Sequence, residues 1–323
     1  MQTTRRQLLH LAVAGALGVL PAVTWAQAFP SRPMTIVVPY APGGAPDQLA
    51  RQLATALSKS MGQAIVVENK PGASGNIGAA FVAKARPDGH TILLATQPMV
   101  TINPLLFKSM GYDPAQDLTP ITAAVNVVLV LAVNASLPVK SLADLIAYAK
   151  KNPVAYGTSG IGTPMHLAGL QLGRQAGVNL THVAYRGAAQ NITDLLGGSI
   201  QMSIVDLVTA RQFADQGKLK ILAIGENARF TGAPQIPTTS ETLPGFGITS
   251  WFGFFGPAGM PSDVVERWST EISKAMNDPD MQKRLFNQGM TSRAEGPAAL
   301  AALVKKDAAF FTPIVRENNI TIE

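Results

Sequence analysis

Strand-like and helix-like segments alternate along almost the whole chain after Pro33, and this order limits the folds available to it. Short runs rich in Val, Ile and Leu lie between longer segments in which apolar residues recur every three or four positions. Such alternation is typical of an α/β fold with a largely parallel sheet. The apolar, β-rich run at 127–133 predicts a strand that is buried on both faces.

The first strand-to-helix turn is unusually rich in glycine. It joins the strand-like run at 34–38 to an amphipathic helix around 49–57 and contains Gly43 and Gly44. A turn of this kind leaves unpaired N–H groups at the positive end of a helix dipole, which favours an anion. Alternatively, the glycines form only a tight turn, and Asp47 only complements the dipole. The lysine and glycine spacings of nucleotide-binding loops are missing, which disfavours a nucleotide.

Further loops follow later strands. Residues 70–78 form a second glycine-rich loop, and residues 158–166 form a third, in which Thr163 and Pro164 predict a capped helix start. Because ligands of open parallel sheets bind outside the carboxyl ends of the strands, we expect these loops to line one cleft.

Two segments are suited to connect two lobes, the apolar run at 127–133 and the aromatic run at 250–256. We predict one discontinuous domain from residues 29–128 plus 253–323, and an inserted second domain from residues 129–252. The fold class is therefore α/β, with a cleft between two α/β domains.

The N-terminus has the organisation of an export signal. Arg5 and Arg6 precede an apolar region that ends at small residues, and cleavage is expected after Ala28. The arginine pair favours the twin-arginine route, although a basic n-region also suits general secretion. Because no later segment approaches the ~20 apolar residues of a spanning helix, we expect a mature chain in the periplasm without membrane insertion.

Charge and cysteine content exclude several classes of function. Removing residues 1–28 lowers the net charge from +6 to +4, and the basic residues are scattered among acids, so we expect no nucleic-acid partner. With zero cysteines the chain has no disulfide and no thiolate metal site. The four histidines have no metal-ligand spacing, so we predict neither a metal nor a cofactor.

An enzyme is the weaker alternative. Ser159, His166 and Asp206 supply the residue types of a nucleophile set, but the sequence around Ser159 is not a G-x-S-x-G elbow. Nothing in the sequence orients the histidine as a base. We therefore expect a binding protein and no catalytic residues.

Eight motifs, kept in order from residue 29 nearly to the C-terminus, resemble those of the tripartite tricarboxylate transporter substrate-binding receptors, also called the Bug family. They are FPSRP at 29–33, VPYAPGG at 38–44, ENKPGA at 68–73, GNIG at 75–78, PDG at 87–89, HLAG at 166–169, DLLGG at 194–198 and SWFG at 250–253.

The resemblance implies a two-lobed, type II-like periplasmic binding protein that closes over a small organic carboxylate. It also implies delivery to permease subunits of such a transporter, whereas a sensor would dock on a signalling partner instead. We expect a monomer. Carried over by position, the implied ligand-binding residues are Tyr40, Ala41, Gly43, Gly44, Asp47, Ser74, Asn76, Thr96, Ser159, Gly162, Thr163, His166, Gly187 and Asp206.

Several of these residues have a structural alternative. Tyr40 supplies either a wall of the pocket or core packing, and Asp47 is expected to hold backbone or water instead of the ligand. His166 either donates to the anion or covers a helix end, and Asp206 either meets the ligand or caps the next helix. The family commonly has Gly where this chain has Ser74, and Asn with a proline-containing turn where it has the residues at 207–209.

Overall fold

The computed structural model describes residues 29–185, 188–226, 228–248 and 250–322. The predicted signal at 1–28 and Gly187 lie outside these ranges. Among the described residues, no helix is both long and apolar enough to cross a membrane.

The strands of the described ranges form two sheets. Their bounds are β1 (Met34–Val38), β2 (Ile65–Asn69), β3 (Thr91–Thr96), β4 (Leu118–Val127), β5 (Leu129–Asn134), β6 (Val154–Thr158), β7 (Leu180–Ala184), β8 (Met202–Asp206), β9 (Leu219–Ile224), β10 (Trp251–Pro257) and β11 (Met290–Glu295). The first sheet has the order β11-β4-β10-β3-β1-β2 and the second has the order β7-β6-β8-β5-β9. We call each sheet, with the helices on it, the first lobe and the second lobe.

Helices connect most of these strands and cover the sheets. Their bounds are α1 (Ala45–Met61), α2 (Asn76–Ala83), α3 (Gln97–Thr101), α4 (Asn103–Leu106), α5 (Leu142–Ala149), α6 (Pro164–Ala176), α7 (Ala188–Gly197), α8 (Leu207–Ala214), α9 (Thr239–Thr242), α10 (Ser262–Met276), α11 (Pro279–Asn287) and α12 (Pro297–Glu317). A single 3-10 turn spans Ala73–Gly75 directly before α2. The buried stripe of α1 packs on the first sheet through Leu49, Leu53 and Leu57, as the spacing predicts.

Both sheets are mixed, whereas the sequence predicted largely parallel strands. β1 pairs in parallel with β2 and β3, but β10 runs antiparallel to β3 and β4. In the second sheet, β6 is parallel to β7 and β8, and β5 is antiparallel to β8 and β9. The antiparallel strands include β4, β5 and β10. These three lie next to the segments in which the chain passes from one sheet to the other, so each leads toward or away from the other lobe.

The chain crosses between the lobes within the predicted apolar run, which is two strands instead of one. β4 ends at Val127 in the first sheet and β5 begins at Leu129 in the second. The return crossing lies beside it, because Val127 donates its N–H to the carbonyl of Ser250 at 2.8 Å. β10 then begins at Trp251, so Trp251 and Phe252 lie in the first sheet although the predicted boundary falls at 253.

The strand register places the loops of both lobes at the crossings. Thr96, the last residue of β3, pairs with Phe252, and the preceding residue Trp251 pairs with Asn126. In the second sheet, Leu129 pairs with Asp206, the last residue of β8. Asn126 and Leu129 are only three positions apart, so the carboxyl edges of the two sheets meet there. The loops after β1, β2 and β3 therefore approach those after β6 and β8 from opposite sides.

A second contact between the lobes is an apolar cluster. Ile102 and Leu106 of the first lobe pack with Leu167 of α6 and with the buried face of α12. The C-terminal segment joins this cluster, since Ile322 forms a parallel bridge with Phe107. The lobes thus touch through side chains as well as through the crossing strands.

Candidate functional site

The first glycine turn is held together by Asp47, which is 3% exposed. Its carboxylate accepts the N–H of Gly43 at 2.9 Å, the Nε of Arg51 at 3.0 Å and the Nδ2 of Asn69 at 2.9 Å. The Arg51 hydrogen bond, opposed by burial and assisted by the Gly43 and Asn69 bonds, lowers the pKa of Asp47 to about 2. Asp47 therefore has the structural role that its sequence position indicated, and the Gly43 N–H is already used within the turn.

Tyr40 and Thr96 form a hydroxyl pair at the carboxyl edge of the first sheet. Their oxygens are 2.6 Å apart, and burial raises the pKa of Tyr40. Because one hydroxyl donates to the other, the pair retains one hydroxyl hydrogen for a further acceptor. The Tyr40 ring packs against the cores on both faces of the sheet, which is the core-packing alternative expected for this residue. Ala41 and Gly44 are exposed.

The second loop places Ser74 at the surface and Asn76 in the interior. Ser74 has φ 55° and ψ 31°, a left-handed conformation that glycine adopts more easily. A glycine would adopt this conformation without a steric cost. Asn76 accepts a hydrogen bond from the Nδ2 of Asn103 at 2.7 Å, while its own buried Nδ2 has no partner among the described residues.

The third loop is organised by its helix cap, as predicted. Thr163 accepts the N–H of His166 at 3.2 Å and donates to the carbonyl of Gly160 at 2.9 Å. Gly162 has φ +73° and donates its N–H to Nδ1 of His166 at 3.2 Å. The hydroxyl of Ser159 contacts the sulfur of Met165 at 3.8 Å.

His166 is a neutral side chain in this arrangement. An amide N–H can only donate, so Nδ1 of His166 is unprotonated and its proton is on Nε2. Burial, together with the neighbouring His182, lowers the pKa of His166 to about 4. His166 can therefore offer an uncharged Nε2–H donor at neutral pH.

His182 is a residue that the sequence analysis missed. It lies on β7, its ring stacks on His166 with 3.9 Å between centroids, and its Nε2 is 2.7 Å from the hydroxyl of Thr158. Burial lowers its pKa to about 4. The only signal in the sequence was a histidine in a strand just before a predicted loop, which does not reveal a partner 16 positions earlier.

Asp206 caps α8. Its two carboxylate oxygens accept the N–H and the hydroxyl of Thr209, both at 2.8 Å. The structure thus favours the capping alternative for Asp206. No hydrogen bond among the described residues joins Asp206, His166 and Ser159 into a nucleophile set.

The short helix α4 connects loops of both lobes. Asn103 donates to the carbonyl of Ser74 at 3.3 Å, and a Cβ added to Gly162 would overlap the Cδ1 of Leu106. The second and third loops are therefore adjacent to the same four-residue helix, and the first turn is tied to the second strand through Asn69.

The first lobe has a surface cavity at a distance from these loops. A cavity of about 770 Å³ is located on the first lobe between α10 and the start of α12, and its lining includes Met260 and Ala301. Within the described ranges, no cluster of three or more His, Asp or Glu side chains could hold a metal ion.

Comparison with known proteins identifies the family. The model of the tripartite tricarboxylate transporter family receptor matches residues 49–320. The chain belongs to this family. Its relatives include the UPF0065 protein in the tcbD-tcbE intergenic region of Pseudomonas sp. (strain P51), which is 36% identical and covers 94% of this chain and 92% of its own length.

Two solved structures resemble most of the chain. R. palustris Rpa4515 with adipate is 33% identical with a TM-score of 0.81, covering 91% of this chain and 100% of its own. The periplasmic binding protein BugD is 33% identical with a TM-score of 0.77, with the same coverage of each chain. The predicted family, the two-lobed α/β fold and the role of a transporter receptor are confirmed.

Proposed function

We propose that this receptor captures a small organic carboxylate between its lobes and presents the closed complex to a membrane permease in the periplasm. The observation that supports the proposal is the meeting of the two carboxyl edges at the crossings, and we place the ligand between the loops of the two lobes there. Rpa4515, the structural neighbour described above, was solved with the dicarboxylate adipate.

The electrostatics of the third loop supports an anionic ligand. The first turn of α6 contains no acidic residue, so its dipole is not compensated there, whereas α1 has Asp47 in its first turn. The uncharged His166 adds a donor without a cation. Backbone amides at the start of α6, the Ser159 hydroxyl and His166 are the donors that we assign to one carboxylate group.

The first lobe supplies the opposing donors. Gly44 and Ser74 are exposed in their loops, and the Tyr40–Thr96 pair retains one hydroxyl hydrogen. Asp47 and Asp206 support the site through the backbone instead of contacting the ligand. Because donors of both lobes reach one ligand only when the lobes approach, ligand binding favours closure.

A thermal-shift screen of the mature protein against organic acids, amino acids and aromatic acids tests the proposal. A true ligand at about 100 times its Kd adds roughly 2.7 kcal/mol of stability. Converting the responding carboxylate to its amide should weaken binding at least about tenfold for each charge-assisted hydrogen bond lost. An amide that binds as tightly as the acid contradicts an anion site.

Transport is tested separately in cells that lack the receptor. Loss of uptake of the identified carboxylate, restored by the intact gene, supports delivery to a permease. Unchanged uptake with lost gene induction would instead assign the closed receptor to a signalling partner.

A further inference from the structure

The ring of His166 is held from several sides by elements of the second lobe. Gly162 donates to its Nδ1, and Thr163 caps the backbone N–H of the same residue. The carbonyl of His166 accepts a hydrogen bond from the hydroxyl of Tyr156 at 3.1 Å. These bonds fix the backbone and one ring nitrogen, but they leave the plane of the imidazole to be set by packing.

His182 supplies that packing surface. The two imidazole planes are inclined by 22° with 3.9 Å between centroids, which is face-to-face contact. His182 is in turn fixed on its strand by Thr158 and by the ring of Tyr156, 4.9 Å away. β6, β7 and α6 thus contribute to one stack of Tyr156, His182 and His166.

The stack also bears on the charge of His166. Two face-to-face imidazolium rings would repel each other in a buried setting, so each ring opposes protonation of its neighbour. No lysine, arginine or acidic side chain is hydrogen bonded to either ring among the described residues. The stacking thus favours neutral His166, and the Gly162 N–H at Nδ1 places the single ring proton on Nε2.

We propose that His182 is a positioning residue of the ligand site, which acts through His166. Its ring keeps the His166 imidazole in the plane in which Nδ1 accepts the Gly162 N–H, and this maintains one neutral tautomer with Nε2–H as a fixed donor to the ligand's carboxylate. This inference rests on the proposed function for the identity of the ligand, but the state of His166 is measurable without any ligand.

Two variants separate the face of the His182 ring from its hydrogen bond. His182→Phe keeps an aromatic face but loses the partner of Thr158. His182→Gln keeps a polar partner for Thr158 but loses the face. If His182 had a purely structural role, both substitutions would change only the stability of the protein. A positioning role predicts that the two variants differ in the tautomer of His166.

Nitrogen-15 NMR of histidine-labelled, ligand-free mature protein reads that tautomer directly. The mature chain contains only His90, His166 and His182, and the buried His90 of the other lobe is an internal reference. We expect a single Nε2–H tautomer for His166 in the wild type and in His182→Phe. In His182→Gln we expect His166 to exchange between its Nδ1–H and Nε2–H tautomers, and to become protonated at a higher pH than in the wild type.

Ligand affinity gives the second readout. For a carboxylate identified by the screen, His182→Gln should raise Kd about tenfold, and His182→Phe should raise it less. Equal His166 spectra in all three proteins, or equal loss in both variants, overturns the positioning role. If the screen yields no ligand, the proposed function fails while the tautomer measurement still decides this inference.

Discussion

The first and third loops use the same local geometry with different chemistry. In each, a glycine with positive φ precedes the helix cap and donates its N–H to the side chain four positions later: Gly43 to Asp47, and Gly162 to His166. In the first loop the acceptor is a carboxylate paired with Arg51, whereas in the third it is a neutral imidazole. The comparison indicates that a rigid turn requires an acceptor at this position but not a charge.

This difference predicts distinct roles in ligand binding for the N-termini of α1 and α6. At α1, Asp47 already compensates the dipole and occupies one amide, while at α6 the dipole is uncompensated. We therefore expect the second lobe to provide most of the attraction for the carboxylate. The first lobe then provides neutral donors that complete the site on closure.

The largest expected effect is the loss of stability on replacing the glycine of the third loop, compared with that of the first turn. Gly162→Ala should cost about 2–4 kcal/mol of unfolding free energy, because it combines a left-handed backbone with overlap against buried Leu106. Gly43→Ala meets no atom within 4 Å and should cost only the backbone strain of about 1–2 kcal/mol. Urea denaturation of both variants measures the difference. Equal losses would mean that the contact with Leu106 contributes nothing.

The free energy of unfolding should fall in two separate pH windows as pH decreases, an upper one due to the histidines and a lower one due to Asp47. Because the folded-state pKa of His166 falls from 6.5 to about 4, its contribution is complete above pH 6.5 and is lost as pH falls toward 4. That loss is about 3 kcal/mol for a buried group. Thermal denaturation of His166→Gln between pH 7 and pH 4 should show a flatter decline, reduced by roughly half because His182 titrates in the same window. An unchanged decline contradicts this assignment.

Asp47 controls the lower window. Its pKa falls from 3.8 to about 2, so its stabilisation is present above pH 3.8 and is lost as pH falls through 2. Asp47→Asn should therefore cost about 1–2 kcal/mol at pH 7, with a smaller cost near pH 2. His166→Gln is the matched control, because it should leave this lower window unchanged. A constant cost at all pH values would show that the charge of Asp47 does not matter.

The smallest effects concern the caps. Thr163→Ala removes a side-chain cap and should cost about 1 kcal/mol. Gly44, at the matching position of α1, has an extended backbone and no side-chain cap, so Gly44→Ser should add a few tenths of a kcal/mol. The denaturation midpoints of both variants, measured under the same conditions, test whether stability falls in Thr163→Ala and rises in Gly44→Ser. A loss of stability in Gly44→Ser would mean that the exposed start of α1 does not accept a cap.

The local signals in the sequence predicted much of this architecture because they depend on nearby residues. The cap at Thr163, the left-handed Gly62 after α1 and the helix beginning at Ser262 all follow from short-range chemistry. No local signal in the sequence indicates the strand β11, because its partner β4 is distant in sequence, or α3 and α4, because these helices have only 5 and 4 residues. The long connection at 229–246 has no strand or helix period in its sequence, yet it buries Phe230 and Phe246.

The site was less predictable for the same reason. Asp47 and Asp206 lie at the start of helices, as their sequence positions indicated, and they bind residues within four positions, although Asp47 also accepts a hydrogen bond from Asn69 of β2. The stack of His182 on His166 depends on β7 lying beside β6, which no local pattern reveals. Asp307 is another example, since its buried carboxylate accepts Trp251 Nε1 at 2.7 Å from a strand 56 positions earlier.

Hydrogen exchange followed by mass spectrometry tests most directly whether the first loop (40–47) and the third loop (158–166) hold one carboxylate. The mature protein would be measured with and without the acid that gives the largest thermal shift. We predict slower exchange in peptides covering 40–47 and in peptides covering 158–166, with little change around the cavity at Met260. Slower exchange in only one of the two loops, or only at that cavity, would contradict a site shared between the lobes.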